Sequence, residues 1–232
     1  MTTVDLPVRT AQRPIAQASQ GDLMTSSRKL TARCITSAAA IAALTAVTTP
    51  SADAIASHQA PSGVTLEFVK NFKDPSHSVL RVYDGKNKTL VNKFRAGSGL
   101  GTAADYDSHG NLTARGKRYR NDCVSEAGWL PNGTYKPTSF EINRDQKIKG
   151  YAIGLPSRKC RANGTRRTAL FIHSEMTKDR KQGPRAGADS PYRWEGPRDY
   201  KSNGCIKLRP EHIAWLFSYM NKHGRATSLV VR

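Results

Sequence analysis

Helical periodicity occurs once in this chain, and late. From Pro210 to His223 the apolar residues Ile213, Leu216, Phe217 and Met220 recur at i, i+3, i+4 and i+7, one face of an amphipathic helix. Pro210 suits the first turn, where its missing N–H costs nothing, and Gly224 can end the helix with a left-handed residue. Everything before it reads as short apolar runs of strand type. Val64, Leu66 and Phe68 alternate within Val64–Phe72, and Val79–Tyr83 and Thr89–Phe94 flank Asp84-Gly85, a hairpin signal. Gly133–Lys136 follows the Pro131-Asn132 turn; Tyr151–Leu155, Thr168–His173 and Leu229–Val231 are further runs. Gly97–Tyr119 and Ser174–Gly204 are long polar stretches without periodicity, read as loops. A loop as long as the second, inside a compact domain, usually serves a function or is mobile. The fold class that follows is mostly β, with one or two helices packed on a sheet.

The N-terminal quarter does not belong to that domain. Met24 precedes Arg28, Lys29 and Arg33, and an apolar run, Cys34–Val47, follows. Pro50 breaks the run, and small residues stand at Ala52, Ala54 and Ala56. This is the three-part plan of a secretory signal peptide. Residues 24–56 are therefore read as the signal, 1–23 as an upstream extension, 57–63 as a linker and 64–232 as the domain. The run falls short of the ~20 apolar residues that span a bilayer, so no stable membrane anchor is expected after cleavage. The expected location is extracytoplasmic.

Charge bears on partners rather than on chemistry. Lys and Arg number 37 against 18 Asp and Glu, a net +19, and nearly all of the excess lies beyond residue 56. Such a field attracts polyanions: nucleic acid, anionic wall polymers or acidic lipid. Export argues against nucleic acid. Gly97-Ser-Gly-Leu-Gly101 resembles a nucleotide loop, but Thr102 stands where the dinucleotide fingerprint needs glycine. No HExxH or paired-cysteine zinc spacing occurs, so neither a metal nor a cofactor is expected.

Removal of the signal leaves Cys123, Cys160 and Cys205, an odd number for an exported chain, which suggests one disulfide and one free thiol. All pairings among the three are open, but context favours Cys123 with Cys160. Cys160 sits in a polar turn typical of a loop staple, and Cys123 follows Asp122, which disfavours a thiolate. Cys205 sits in Ser202-Asn-Gly-Cys-Ile-Lys-Leu208. Asn203-Gly204 permits a sharp turn that can aim successive backbone N–H groups at one point, as an oxyanion site requires. Lys207 favours the thiolate. A thiol also needs a base. Of six histidines, only His173 ends an apolar strand run where packing can fix its ring.

These residues resemble the L,D-transpeptidase catalytic domain, the YkuD family. The likeness rests on Phe171-Ile-His-Ser174, on Ser202-Asn-Gly-Cys-Ile-Lys-Leu208 with its following helix and strand, and on Pro131-Asn-Gly-Thr-Tyr135, and it spans Val64 to Arg232. It implies a β-sandwich-like fold and cysteine acyl transfer on peptidoglycan stem peptides. By motif, Cys205 is the nucleophile and His173 its base, with the Ser174 carbonyl orienting the ring. Backbone N–H groups around Asn203, Gly204 and Cys205 hold the oxyanion, and Ser202 lines the pocket. Many members carry His at the position of Asn203 and Arg at that of Lys207, and the interval from His173 to Cys205 is longer than the family's usual one. Lys207 and, from the Arg-rich insert, Trp194 are the expected substrate contacts, with Tyr192–Trp194 either a lid or a solvated loop. The functions in contention are an L,D-transpeptidase forming 3–3 cross-links, an L,D-carboxypeptidase hydrolysing the same acyl-enzyme, and a non-catalytic basic wall-binding module.

Overall fold

A computed structural model describes residues 63–232. The expected signal peptide, upstream extension and all of the linker but Gly63 lie outside the described residues. The strands and helices, in chain order, are β1 (Val64–Val69), β2 (Ser78–Asp84), β3 (Leu90–Ala96), α1 (Ala114–Tyr119), β4 (Gly133–Tyr135), β5 (Ser139–Asp145), β6 (Lys149–Leu155), β7 (Arg158–Lys159), β8 (Arg166–Arg167), β9 (Leu170–His173), β10 (Ile206–Lys207), α2 (Pro210–His223) and β11 (Ala226–Val231). No described helix is long and apolar enough to cross a membrane.

Two sheets carry the fold, one ordered β3-β2-β1-β11-β4 and the other β10-β9-β6-β5, with β7-β8 a small separate ribbon. Pairing is antiparallel except between β1 and β11 and between β9 and β10. Period-two burial explains β1 and β2. Val64, Leu66 and Phe68 of β1 are buried while the residues between them are half exposed. Leu80, Val82 and Leu229 from the first sheet join Ile153, Ile172 and Ile206 from the second in one apolar core. Helix α2 adds Ile213, Leu216 and Met220 to it, and Phe217, on the edge of that face, packs on Tyr151 with ring centroids 4.5 Å apart.

The mostly-β class agrees with the structure. Its differences from the sequence reading are local. β1 stops at Val69 because Asn71 Oδ1 accepts from the backbone N–H groups of Lys73 and Asp74, turning the chain out of the ladder. The expected loop at Gly97–Tyr119 contains α1, capped by Thr113, whose hydroxyl accepts from Gly116 N–H. Being short and polar, α1 has no apolar period to betray it. β5 was also invisible: only Phe140 and Ile142 are apolar in it, Ile142 is 52% exposed, and an irregularity between Glu141 and Arg144 breaks its alternation. Gly224 ends α2 with φ +92°, as its position suggested.

Because Leu216 is fully buried between helix and sheets, Leu216→Ala should cost about 2–5 kcal/mol of stability. Ile142→Ala, at an exposed edge, should cost no more than about 0.5 kcal/mol. Urea unfolding monitored by circular dichroism measures both; equal losses would contradict this description of the core.

Candidate active site

The site is built by strand alternation. On β9, Leu170 and Ile172 point into the core, so Phe171 and His173 take the other face. β10 lies parallel beside it, with Ile206 opposite Ile172 and Lys207 opposite His173, and Leu208 N–H donates to His173 O at 2.9 Å. Ile206 and Leu208 are buried in the core, which turns Cys205 and Lys207 to the same side as Phe171 and His173. All four line a cleft of about 810 Å³. The insert supplies another part of the lining through Asp189, Ser190, Pro191, Tyr192, Arg198 and Asp199.

His173 is buried, and its Nδ1 lies 3.0 Å from Ser174 O. A carbonyl only accepts, so Nδ1 carries the proton, and in the neutral ring Nε2 keeps its lone pair. Burial, reinforced by the Lys207 charge, lowers the pKa of His173 to about 3. The ring is neutral at any physiological pH. Ser174 thus contributes its carbonyl; its own hydroxyl is buried without a partner.

Cys205 is the one free cysteine among the described residues, and Cys123 is bonded to Cys160. The Cys205 thiol donates a hydrogen bond to Ala169 O at 3.5 Å. Ala169 holds φ +52°, an uncommon backbone for a residue with a side chain. The sequence led us to expect Lys207 to favour the thiolate. Lys207 does pull in that direction, but burial outweighs it and pushes the thiol up to about 11. Arg167 pulls the same way as Lys207, and Glu126 works against them; Lys207 is itself ion-paired with Glu175. The resting pair is therefore a neutral thiol and a neutral imidazole.

The turn before Cys205 is braced from inside. Ser202 Oγ donates to Cys205 O at 2.6 Å and accepts from Gly99 N–H and Gly204 N–H, both at 3.3 Å. Ser202 lines the cleft as expected and also holds the turn together. The Gly204 N–H, one of the oxyanion donors that the resemblance implied, meets Ser202 Oγ, which leaves Asn203 and Cys205 N–H as the donors to consider. Gly204 has φ +112°. Its glycine is required twice over, since a Cβ there would also come within 2.1 Å of Arg167 Nη2. Asn203 Nδ2 donates to Glu126 Oε2 at 3.2 Å.

One of the expected substrate contacts lies outside this lining. Trp194 does not line the cleft: its ring packs edge-on against Tyr200 at 4.8 Å, and its backbone N–H is taken by Gln182. Its neighbours Pro191 and Tyr192 take the lining positions instead. Glu175 was missed, although it stands two residues beyond His173 and strand period would have put it on the same side. Glu126, Arg144 and Lys149 come from segments with no local signal. The carboxylates of Glu175, Asp189, Glu195 and Asp199 lie within 4.8 Å of one another. Three are already engaged, Glu175 with Lys207, Glu195 with Ser190 N–H, and Asp199 with Glu195 and Gly196 N–H. The group therefore supports no metal assignment.

Residues 71–230, well over half of the chain, match the YkuD family, described as the L,D-transpeptidase catalytic domain. The chain belongs to the YkuD family. No curated protein matches it. Among solved structures it is similar to Bdellovibrio bacteriovorus Bd1075, with 11% identity and a TM-score of 0.37 over 72% of this chain and 47% of that one. It is also similar to the helical cell shape determining protein Pgp2 from Campylobacter jejuni, with 14% identity and a TM-score of 0.39 over 73% of this chain and 48% of that one. The chain spans about half the length of each. Within the YkuD domain, Asn203 keeps a polar side chain but spends it on Glu126, and Lys207 spends its charge on Glu175.

Two pH dependences follow. Alkylation of Cys205 by iodoacetamide should rise with pH toward the value of about 11 set by burial. A midpoint below the ~8.5 of a free cysteine would contradict the site described. Stability should respond at both ends. Between pH 6.5 and about 3 only the unfolded chain protonates His173, so the unfolding free energy falls as pH drops. Between pH 9.0 and about 11 only the unfolded chain ionises Cys205, so it falls again as pH rises. Urea titrations of the wild type beside His173→Gln and Cys205→Ala should assign each limb; limbs unchanged in the variants would refute the assignment.

Proposed function

We propose that the protein is an extracytoplasmic cysteine L,D-transpeptidase acting on peptidoglycan stem peptides, with Cys205 as nucleophile and His173 as general base. The observation that carries the reading is the shared cleft, in which a neutral imidazole at the end of β9 and a buried thiol in the turn that enters the parallel strand β10 both take part in the lining. The reading of export rests on the signal pattern of residues 24–56. The cleft's mixed lining, with Arg144, Lys149 and Lys207 beside Glu126, Glu175 and Asp189, suits a peptide carrying both carboxylates and amines. The basic surface suits retention near anionic wall polymers.

In this mechanism the thiol proton passes to His173 Nε2 as sulfur bonds to the carbonyl carbon between the third and fourth stem residues. A neutral resting pair favours this concerted transfer over a preformed thiolate. The developing oxyanion is held by backbone N–H groups of the Asn203–Cys205 turn. The C–N bond then breaks, and His173 returns the proton to the departing D-alanine amine. An amine of a second stem attacks the thioester, gives its proton to His173, and forms the 3–3 cross-link as the thiol is regenerated. Water in place of that amine makes the L,D-carboxypeptidase product.

Incubation with muropeptides and mass spectrometry tests this. Dimers formed with loss of D-alanine are expected, and shortened monomers alone would favour hydrolysis. Cys205→Ala should abolish acyl-enzyme and turnover. His173→Ala should lose about 10²–10⁴-fold in rate. The double variant should be no worse than Cys205→Ala, because thiol and base act as one unit. Full activity in Cys205→Ala would overturn the assignment.

A further inference from the structure

Arg167 is a buried cation that the mechanism above does not use. It is 2% exposed and sits on β8, one residue before the cleft-lining Thr168. The four hydrogen bonds that its guanidinium makes all go to backbone carbonyls. Nη1 donates to Asp122 O at 2.6 Å and Trp129 O at 3.2 Å. Nη2 donates to Gly128 O at 3.1 Å and Asn203 O at 3.3 Å. A buried charge is costly, and carbonyls return less than a carboxylate would. What the arrangement does achieve is geometric. One planar fork ties the 122–129 segment to the turn that carries the nucleophile.

Both ends of that tie are themselves constrained. The 122–129 segment is stapled through Cys123 to Cys160. A Cβ on Gly128 would strike Asn121 O at 1.9 Å, so the backbone there packs too closely for any residue but glycine. At the other end, Gly204 lets the turn press against Arg167 Nη2, and the Asn203 carbonyl is the acceptor. Fixing a peptide carbonyl fixes the plane of that peptide, and with it the direction of the Gly204 N–H. The neighbouring Asn203 and Cys205 N–H groups are then restrained through the same short turn.

We infer that Arg167 is a positioning residue. It holds the Asn203–Gly204–Cys205 backbone in the orientation that receives the oxyanion, and acylation depends on it more than thiol reactivity does. The inference rests on the proposed acyl-transfer function. Lysine keeps the charge but not the planar fork, and cannot hold two carbonyls per nitrogen in the same plane. A turn displaced by a fraction of an ångström loses its donor alignment while leaving the thiol in the cleft.

The test separates those two properties. In Arg167→Lys, kcat on stem peptides should fall about 10- to 100-fold, the scale set by small misplacement of reacting groups, with KM nearly unchanged. Iodoacetamide alkylation of Cys205, which develops no oxyanion, should keep its rate and its pH midpoint. Arg167→Met should show the same kcat loss or a greater one, with its alkylation compared at pH values matched to its own midpoint. Melting curves of both variants accompany the kinetics. Wild-type kcat in Arg167→Lys overturns the inference, and so does a parallel loss of alkylation, turnover and melting temperature, which is the behaviour of a structural arginine. A wild type that forms no acyl-enzyme overturns the functional reading instead, and is distinguished from failure of the positioning role by its occurring before any substitution is made.

Discussion

The parallel pairing of β9 with β10 is the contact on which the site depends. It is a short ladder, with Ile206 against Ile172 and Lys207 against His173. A parallel pair needs a crossover, and here the crossover is the long insert between Ser174 and Gly204. The two strands contribute alternating side chains to opposite faces. Ile172, Ile206 and Leu208 anchor one face in the core, and that anchoring obliges His173, Cys205 and Lys207 to share the other. A slip of one residue would send Cys205 into the apolar core and bring Ile206 to the cleft. Core packing therefore sets the active-site register, and the insert that makes the crossover also furnishes part of the cleft it spans.

Electrostatics inside the cleft follow from burial more than from neighbouring charge. His173 and Cys205 both lack solvent, and each is held in its neutral form. The Lys207 charge works on both, against protonation of the ring and toward ionisation of the thiol, but at the thiol burial outweighs it. The effect is a site that does not hold a standing thiolate. Such a thiol is protected from adventitious oxidation, which follows thiolate character and exposure. In the proposed acyl transfer it becomes nucleophilic only as its proton moves to Nε2.

The legibility of the fold tracked apolar periodicity. Helix α2 was read with its true ends because Pro210, four apolar residues on one face and Gly224 all point to the same structure. β1 and β2 were visible because buried and partly exposed residues alternate in them, and β3 and β6 were visible as short apolar runs. α1 and β5 were not, because a short polar helix held by a Thr113 cap and an edge strand with an interrupted register carry little apolar signal. Within the site, Cys205 stood out because two of three cysteines lay in turns suited to a staple, and His173 because it alone ended an apolar run. Trp194 shows the limit of such signals: an aromatic residue in a polar insert invites a binding role, and the structure places its ring edge-on against Tyr200.

The amino-acid sequence by itself determined the β class, the terminal helix and the residues chemically able to act as thiol and base. These are properties of local pattern and side-chain type, which need no knowledge of what lies nearby. Only the tertiary structure decided which groups surround them. Arg167 gathers carbonyls from Asp122, Gly128, Trp129 and Asn203, and Glu175 finds Lys207 across the strand pair. Only there does burial appear, and burial reverses the protonation that the basic neighbours of Cys205 suggested. Desolvation and long-range hydrogen bonding depend on the whole packed environment, so no stretch of residues encodes them locally.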